Sequence, residues 1–588
     1  MDYKRLVDTY EHIQSATKRL EKTKILSEFL KQTDPTDIES IVLLMQGKIF
    51  PSWDDRKTGV ATRLVTKAIA KSLGYTDAAI EAEWKRTGDL GVVTENLTTQ
   101  KKQVTLFSKK LSVNNVISNI RKMSALEGPG SIDRKVALIA ELLTSASPDE
   151  ARYIIRTVLE ELRVGIGEGI LRDAIVWAFF GDDVKIQYDP AEKSIEPENR
   201  EVYNKYVDAV QSAYDILNDF AAVAKIAKEQ GVAGLTALDL QSGKPVKVML
   251  FQKAINIANA FERVGRPCAV EFKYDGFRMQ IHKSVGKILV FTRRLEEVTS
   301  QFPEVVEFVK SHVAGDSFIL DAEAVGFDPK SRKYLPFQSI SQRIKRKYDV
   351  EQMSKEFPVE VNVFDLLYHD NKTLIKRPFK ARREILERIV TQVPQKIVLA
   401  RQVVTDNDSA AEQFYQDALK AGEEGVMFKN LDAEYRPGSR VGFGVKVKPT
   451  MQSLDLVIVG AEWGEGKRSG WLTSFVLACK DSDTGAFIEI GRVGTGFKEL
   501  ASEDGVTFDE MTNLLKPLIV EEKGRVVRVK PHIVVEISYE EIQKSPSYSS
   551  GYALRFPRLA RLREMERSPE DISTLEEVEN LYSTQRSR

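Results

Sequence analysis

The sequence predicts a multidomain protein in three parts: an all-α segment over residues 1–240, an α+β segment over 241–449 and a small β-barrel over 450–588. Three observations predict it. At 588 residues the chain is too long for a single core. Up to about residue 240, apolar residues recur at three- and four-residue spacing with little β-branched alternation. Beyond Thr450, short alternating runs are parted by Gly, Asp and Ser turns.

In the helical part, residues 151–164 (ARYIIRTVLEELRV) read as an amphipathic helix, followed by Gly165, Gly167 and Gly169 and a second helical run from Ile170 to Phe180. A glycine-rich turn that opens a helix presents free backbone N–H groups, which can hold a phosphate without reading a base. A plain connection between two helices reads equally from these residues. Between helical blocks, residues 101–110 place Gln103 three and four residues before Leu106 and Phe107. Near residues 243–250 the texture changes, and strand-like alternation mixes with helical patches to about Thr450, as in an α+β domain. The final part offers LDLVIVGAEW, WLTSFVLAC, AFIEIGRVG, GRVVRVKP and HIVVEISYEEI as strands. Five strands of this kind suit an OB-fold, a common nucleic-acid-binding module.

Composition excludes several classes. With 42% apolar and 29% charged residues the chain is of ordinary globular type. The N-terminus is charged, and no run of eighteen apolar residues occurs, so no membrane partner and a cytoplasmic location are expected. Cys268 and Cys479 are too few for a four-cysteine zinc module. Lys plus Arg and Asp plus Glu number 86 each, so the formal charge is zero. Binding to a polyanion would rest on local clusters such as Arg343, Lys345, Arg346 and Lys347 rather than on the sum.

The most informative stretch is EFKYDGFR, residues 271–278. Its apolar lead-in from Ala269 predicts a buried strand, and Asp275-Gly276 a tight turn, which puts Lys273 at a strand end. A free lysine is a poor nucleophile, about one molecule in two thousand being neutral at pH 7. Burial and neighbouring charges can activate it. Lys273-Tyr274-Asp275-Gly276 resembles the K-x-D-G motif of the covalent nucleotidyltransferases, the superfamily of DNA ligases, RNA ligases and mRNA-capping enzymes.

Further motifs recur in that superfamily's order. Phe291-Thr292-Arg293 resembles the segment whose arginine contacts ribose and phosphate, Leu320-Asp321-Ala322-Glu323 resembles motif III, and Phe364 matches the ring that stacks on the purine. Glu424-Gly425-Val426-Met427-Phe428-Lys429 resembles motif IV; Arg440, Lys446 and Lys448 resemble motif V. Period-two spacing puts Lys446 and Lys448 on one strand face. Leu554-Arg555-Phe556-Pro557-Arg558, with Arg561 and Arg563, resembles motif VI. The ordered set, with the helical N-terminus and the Gly460–Gly466 run, is similar to archaeal ATP-dependent DNA ligases. Two positions depart from the pattern: Gly444 stands where the family usually has tryptophan, and Met565-Glu566 where it has Asp-Lys.

The resemblance implies a helical DNA-binding domain, an ATP-grasp-like nucleotidyltransferase domain and an OB-fold domain. It further implies sealing of 3′-hydroxyl/5′-phosphate nicks in duplex DNA, in replication, repair and recombination, through a lysine–AMP intermediate. Lys273 would be the nucleophile. Glu271, Arg278, Arg293, Glu323, Phe364, Arg440, Lys446 and Lys448 would hold ATP, and Glu323 and Glu424 would bind Mg²⁺. DNA phosphates would meet Gly165, Gly167, Gly169, Arg555 and Arg558. The partners expected are nicked double-stranded DNA and, through Gln103–Phe107, a sliding clamp; a monomer is expected. A capping guanylyltransferase and a non-catalytic nick-binding protein are the alternatives.

Overall fold

The computed structural model describes residues 1–54, 56–100, 110–189, 191, 194–335, 337, 340, 343–344, 349–438, 440–449, 452–500, 505–563 and 567–586. The chain divides into two compact units, one of Met1–Glu81 with Leu90–Val447 and one of Ala82–Asp89 with Lys448–Arg588. No helix among the described residues is long and apolar enough to cross a membrane.

The first unit begins with a helical domain that carries a short hairpin of β1 (Ile186–Asp189) and β2 (Ser194–Pro197). Helix Pro148–Val158 starts on a capping box, Ser147 with Glu150, and a proline in its first turn. It stops earlier than the apolar periodicity predicts. Glu160 and Arg163 adopt positive φ (57° and 59°), which no α-helix contains, so residues 159–164 form a loop whose Leu162 and Val164 are still buried. The apolar period continued because the loop packs inward, not because the helix does. The following helix, Glu168–Phe180, opens at Gly167.

The α+β portion of this unit holds two sheets. In the first, β11 (Gln402–Thr405), β4 (Cys268–Lys273), β12 (Gly425–Asn430), β13 (Arg440–Val447) and β3 (Leu250–Lys253) lie in that order. Only the β13–β3 pair is parallel. Alternation splits these strands cleanly. Cys268, Val270, Phe272, Val426, Phe428, Val445 and Val447 point to one side, against helices Ile257–Val264 and Asp408–Lys420. Phe261 meets Phe428 edge-on at 5.1 Å. The opposite face carries Glu271, Lys273, Met427, Lys429 and Lys446.

The second sheet runs β10 (Ile397–Leu399), β8 (Val359–His369), β7 (Phe318–Gly326), β5 (Phe277–Ser284), β6 (Lys287–Thr292), with β9 (Lys372–Thr373) on β8. Its core packs Met279, Leu320 and Val363 with Val305 and Val309 of helix Pro303–His312 and Leu386 of helix Phe379–Ile389. Arg343, expected with its neighbours in a basic cluster for a polyanion, is instead 1% exposed. Its guanidinium lies 2.6 Å from Glu304 and donates to the carbonyls of Phe357 and Gln301, both at 2.9 Å. It is an internal clamp and not part of a polyanion-binding surface; Lys345, Arg346 and Lys347 lie outside the described residues.

The second unit contains all five expected strands, as β14 (Leu454–Trp463), β15 (Leu472–Lys480), β16 (Phe487–Val493), β18 (Val526–Val529) and β19 (Val534–Ser538). β17 (Ile519–Lys523) and β22 (Arg558–Leu562) extend them into a seven-stranded antiparallel sheet, and β20 (Glu541–Lys544) pairs with β21 (Tyr552–Arg555). This is the OB-fold domain, with its larger core built from Leu456, Phe475, Val527 and Ile537 and capped by helix Phe508–Leu515, and a smaller cluster of Val457, Ala478, Val534 and Ile572.

Phe428 is fully buried between the first sheet and its helices. Phe428→Ala is expected to cost the first unit about 3–5 kcal/mol, and Phe428→Leu much less. Urea denaturation read by hydrogen exchange at β4 and β12 amides checks this; equal protection in the two variants would refute it.

Candidate active site

The site is assembled by strand register. Lys273 of β4 pairs with Gly425 of β12, Glu271 with Met427, and Met427 in turn with Lys446 of β13. Residues directly opposite each other share a face, so the lysine, the glutamate and the motif V lysine stand together. A glycine opposite Lys273 leaves its stem room. The Lys273 Nζ lies 2.6 Å from Glu424 Oε2, and the two backbones are joined by Glu424 N–H donating to the Lys273 carbonyl at 2.9 Å.

The second sheet supplies the rest. Glu323 of β7 pairs with Arg278 of β5 and Asn362 of β8. Burial pushes the Glu323 carboxyl up to about 8, against the pull of Lys273 and Arg278. The Asp275-Gly276 turn passes hard against this strand: a Cβ on Gly276 would lie 2.6 Å from the Ala324 carbonyl and 2.8 Å from Glu323 Cγ. Only glycine fits there. Arg278 forks onto Asp321, which is fully buried, at 2.9 and 2.5 Å, and donates to the Met249 carbonyl at 3.1 Å.

Phe364 owes its direction to a β-bulge. Asp365 pairs with Asp321 and Val363 with Ala322, so Phe364 is the extra residue on β8. A bulge re-aims a side chain, and this ring leaves the core of its own sheet to pack beside the first one. The Arg278 guanidinium lies 5.2 Å from its centre and Lys429 Nζ 4.8 Å.

Glu271 is 2% exposed and multiply held. Its carboxylate lies 2.5 Å from Lys429 Nζ and accepts from Gln402 Nε2 at 2.8 Å. Glu423, which no sequence motif singled out, is also buried. Its Oε2 accepts from Asp275 N–H at 2.8 Å, and burial raises the carboxyl to about 8, helped by Asp275, Glu323 and Glu424. Asp321 stood inside the quoted motif without a role and Glu423 in no motif, since each acts through a partner that the fold brings to it.

Not every expected residue joins the cluster. Arg293 is exposed just past β6, one strand outboard of Arg278. Lys448 lies beyond β13, and its Nζ is 3.4 Å from Glu540. Arg440 opens β13, but its side chain is outside the described residues. At Gly444, a Cβ would lie 2.5 Å from the Phe251 ring, so an aromatic group from β3 covers that glycine.

Two other groups stand apart. In the helical domain, Gly165 has φ 76°, Lys22 Nζ donates to the Val164 carbonyl at 3.0 Å, and Arg19 reaches Asp173 at 2.6 Å. These cations come so close that a Cβ on Gly165 would meet Lys22 Nζ at 2.8 Å, and one on Gly169 would meet Arg19 at 3.0 Å. In the OB-fold domain, Arg555 pairs with Glu541 at 3.0 Å, while Arg561 and Arg563 both pair with Glu536. Arg558 is exposed beside Phe556, which is 67% exposed at φ 50°. Met565 and Glu566, and the Gln103–Phe107 peptide, lie outside the described residues.

Comparison with known proteins follows the same division. Residues 2–176 match the family model for the DNA ligase N terminus, 248–448 the ATP dependent DNA ligase domain, and 468–566 the ATP dependent DNA ligase C terminal region. The DNA ligase of Nanoarchaeum equitans (strain Kin4-M) is 47% identical over 587 residues, which cover 100% of this chain and 99% of that protein. The DNA ligase of Thermococcus fumicolans is 42% identical over the same shares. Among solved structures, Pmar-Lig_PreS3 aligns over 95% of this chain and 99% of its own, with a TM-score of 0.57 at 17% identity, a likeness of fold. The nucleotidyltransferase cluster, the flanking domains and these full-length similarities together place the chain in the family of ATP-dependent DNA ligases.

Proposed function

We propose that this ligase seals 3′-hydroxyl/5′-phosphate nicks with Lys273 as its covalent nucleophile. The observation that carries the reading is the placing of Lys273 at a strand end, beside Glu424 and within the same cluster as Glu323, Glu271 and Lys446. Glu424 Oε2, at 2.6 Å, is positioned to take the proton that Nζ must shed. Nζ then bonds to the α-phosphorus of ATP as the bond to the bridging oxygen breaks and pyrophosphate leaves. AMP passes from Lys273 to the 5′-phosphate of the nick, and the 3′-hydroxyl attacks that phosphate, releasing AMP.

The surrounding side chains bind and orient. Glu271 accepts from the adenine amino group, Phe364 stacks on the ring, and Arg278 and Lys446 hold sugar and phosphate; Arg293, Arg440 and Lys448 are assigned there by the family resemblance alone. Lys446, on the face shared with Lys273, has the strongest geometric support among these. Phe251, over Gly444, supplies the aromatic bulk that the strand's own sequence lacks.

The donor set fits Mg²⁺. That ion takes one or two carboxylates and keeps its waters, and no larger cluster of metal-ligating side chains occurs among the described residues. Glu323 and Glu424 would hold it, and when bound it supplies positive charge beside the triphosphate.

Nicked DNA is held as backbone and shape rather than as sequence. The Gly165–Gly169 turn, opening a helix beneath Arg19 and Lys22, supports a phosphate contact there. Arg555 and Arg558 take the same role in the OB-fold domain. The domain limits are set at residues 240 and 449, the location is cytoplasmic and the enzyme works as a monomer. Gln103–Phe107 docks on a sliding clamp.

Incubation with Mg²⁺ and ATP labelled at the α-phosphate is expected to label the wild-type polypeptide and to leave Lys273→Ala unlabelled. Label retained on the variant would move the nucleophile elsewhere.

With Glu323 raised from 4.5 to about 8, the folded protein holds that proton more tightly than the unfolded chain does. In the absence of metal, its contribution to stability is therefore fully present below pH 4.5 and lost as the pH climbs through about 8. Glu323→Gln should show a shallower loss and a higher melting midpoint at pH 8, and Mg²⁺ should restore the wild type only. Identical pH slopes for the two proteins would count against this.

For the clamp, Leu106→Ala/Phe107→Ala should abolish capture by immobilised clamp while nick sealing without clamp is unchanged. Undiminished capture removes that partner site.

A further inference from the structure

Lys429 stands at the end of β12, opposite Ala269 of β4 and Gly444 of β13. Both neighbours are small, which lets its stem lie along the sheet toward Glu271, its diagonal neighbour. The ammonium is buried, with 7% of the side chain exposed, 4.8 Å from the centre of the Phe364 ring and 4.7 Å from that of Phe379. Its ion-pair partner is Glu271, at 2.5 Å. Arg383, the next cation, is 3.9 Å from Glu271 and spends its Nε on Glu387 at 2.9 Å and its Nη2 on the Ala400 carbonyl at 3.1 Å.

We infer that Lys429 is a specificity-determining positioning residue: by pairing with Glu271 it fixes that side chain as an acceptor and so selects adenine over guanine in the nucleotide that reacts with Lys273. The inference rests on the reading that Glu271 faces the exocyclic edge of the base. An ionised carboxylate accepts hydrogen bonds and donates none. Adenine offers it an amino group; guanine carries a carbonyl oxygen at the corresponding position. Acceptor would then face acceptor in a dry pocket, with neither lone pair satisfied. Gln402 and Lys429 both donate to the carboxylate from the protein side, which leaves only its remaining lone pairs for the base. Without the ammonium the carboxylate loses the partner that fixes its direction, Gln402 alone is left to hold it, and the discrimination against guanine weakens.

The ring geometry adds to the argument. A cation 4.8 Å from Phe364 ties the orientation of the stacking ring to the same lysine that orients Glu271. One side chain therefore sets both the edge and the face against which a base would lie. Charge, rather than bulk, is what the position requires.

The test compares covalent labelling of the full-length protein by α-labelled ATP and α-labelled GTP, each titrated to give rate and half-saturation. Variants are Lys429→Met, Lys429→Gln, Lys429→Arg and Glu271→Gln. Lys429→Met and Lys429→Gln are expected to lower the ATP-over-GTP preference by roughly tenfold or more, chiefly through half-saturation, and Lys429→Arg to keep it. Gln retains a donor without the charge, so it decides the matter if the Met variant does not fold. Unchanged preference in Lys429→Gln, with Glu271→Gln relaxed, overturns the role of Lys429 alone. Unchanged preference in Glu271→Gln overturns the reading of Glu271, while labelling by ATP still reports on Lys273 independently.

Discussion

The antiparallel pairing of β4 with β12 is the constraint on which the site depends. It sets Lys273 against Gly425 and Glu271 against Met427, from segments far apart in the chain. Register here is all-or-none, because side chains alternate with period two. A slip by one residue would turn Lys273 and Glu271 into the core and bring Val270 and Phe272 out to the substrate side. The buried packing of Val270, Phe272, Val426 and Phe428 on helices Ile257–Val264 and Asp408–Lys420 makes that slip costly. The hydrophobic face thus holds the polar face in place.

A second sheet stands beside the first and delivers Glu323 of β7 to its lysine. Glu424, in the turn that leads into β12, pairs with Lys273, and its neighbour Glu423 holds the Asp275 N–H; burial raises Glu323 and Glu423 to about 8. Half-buried Arg278 with buried Asp321, and fully buried Arg382 with Asp365, are ion pairs that carry their own compensation. Each anchors a strand on either side of the Phe364 bulge, and breaking such a pair leaves an uncompensated charge. Zero net charge over the whole chain is therefore compatible with strong local fields.

The limits of pattern reading have physical causes at particular residues. Residues 159–164 kept a helical apolar period while the backbone left the helix, because Leu162 and Val164 bury themselves from a loop. Arg343 read as part of a basic cluster for a polyanion beside three other cations, yet Glu304 and two carbonyls draw it inside. Lys446 and Lys448 share a strand face by spacing, but β13 ends between them and Lys448 turns to Glu540. Gly444 looked like a lost aromatic until the neighbouring strand brought Phe251 over it. In each case a partner distant in sequence decided the outcome.

By itself, the sequence determined the order of the parts and the chemistry available to them. The helical period, the alternation around Lys273 and the five C-terminal strand runs are local properties, and the K-x-D-G lysine with its downstream acids and bases can be read one segment at a time. Tertiary structure alone decided which of these groups meet. Strand register united Lys273, Glu271, Glu424 and Lys446, a bulge aimed Phe364, and burial gave Glu423, Asp321 and Lys429 their parts. The reason is that a side chain's ionisation, direction and partners are set by neighbours across strands, and those neighbours are fixed by the packing of whole sheets.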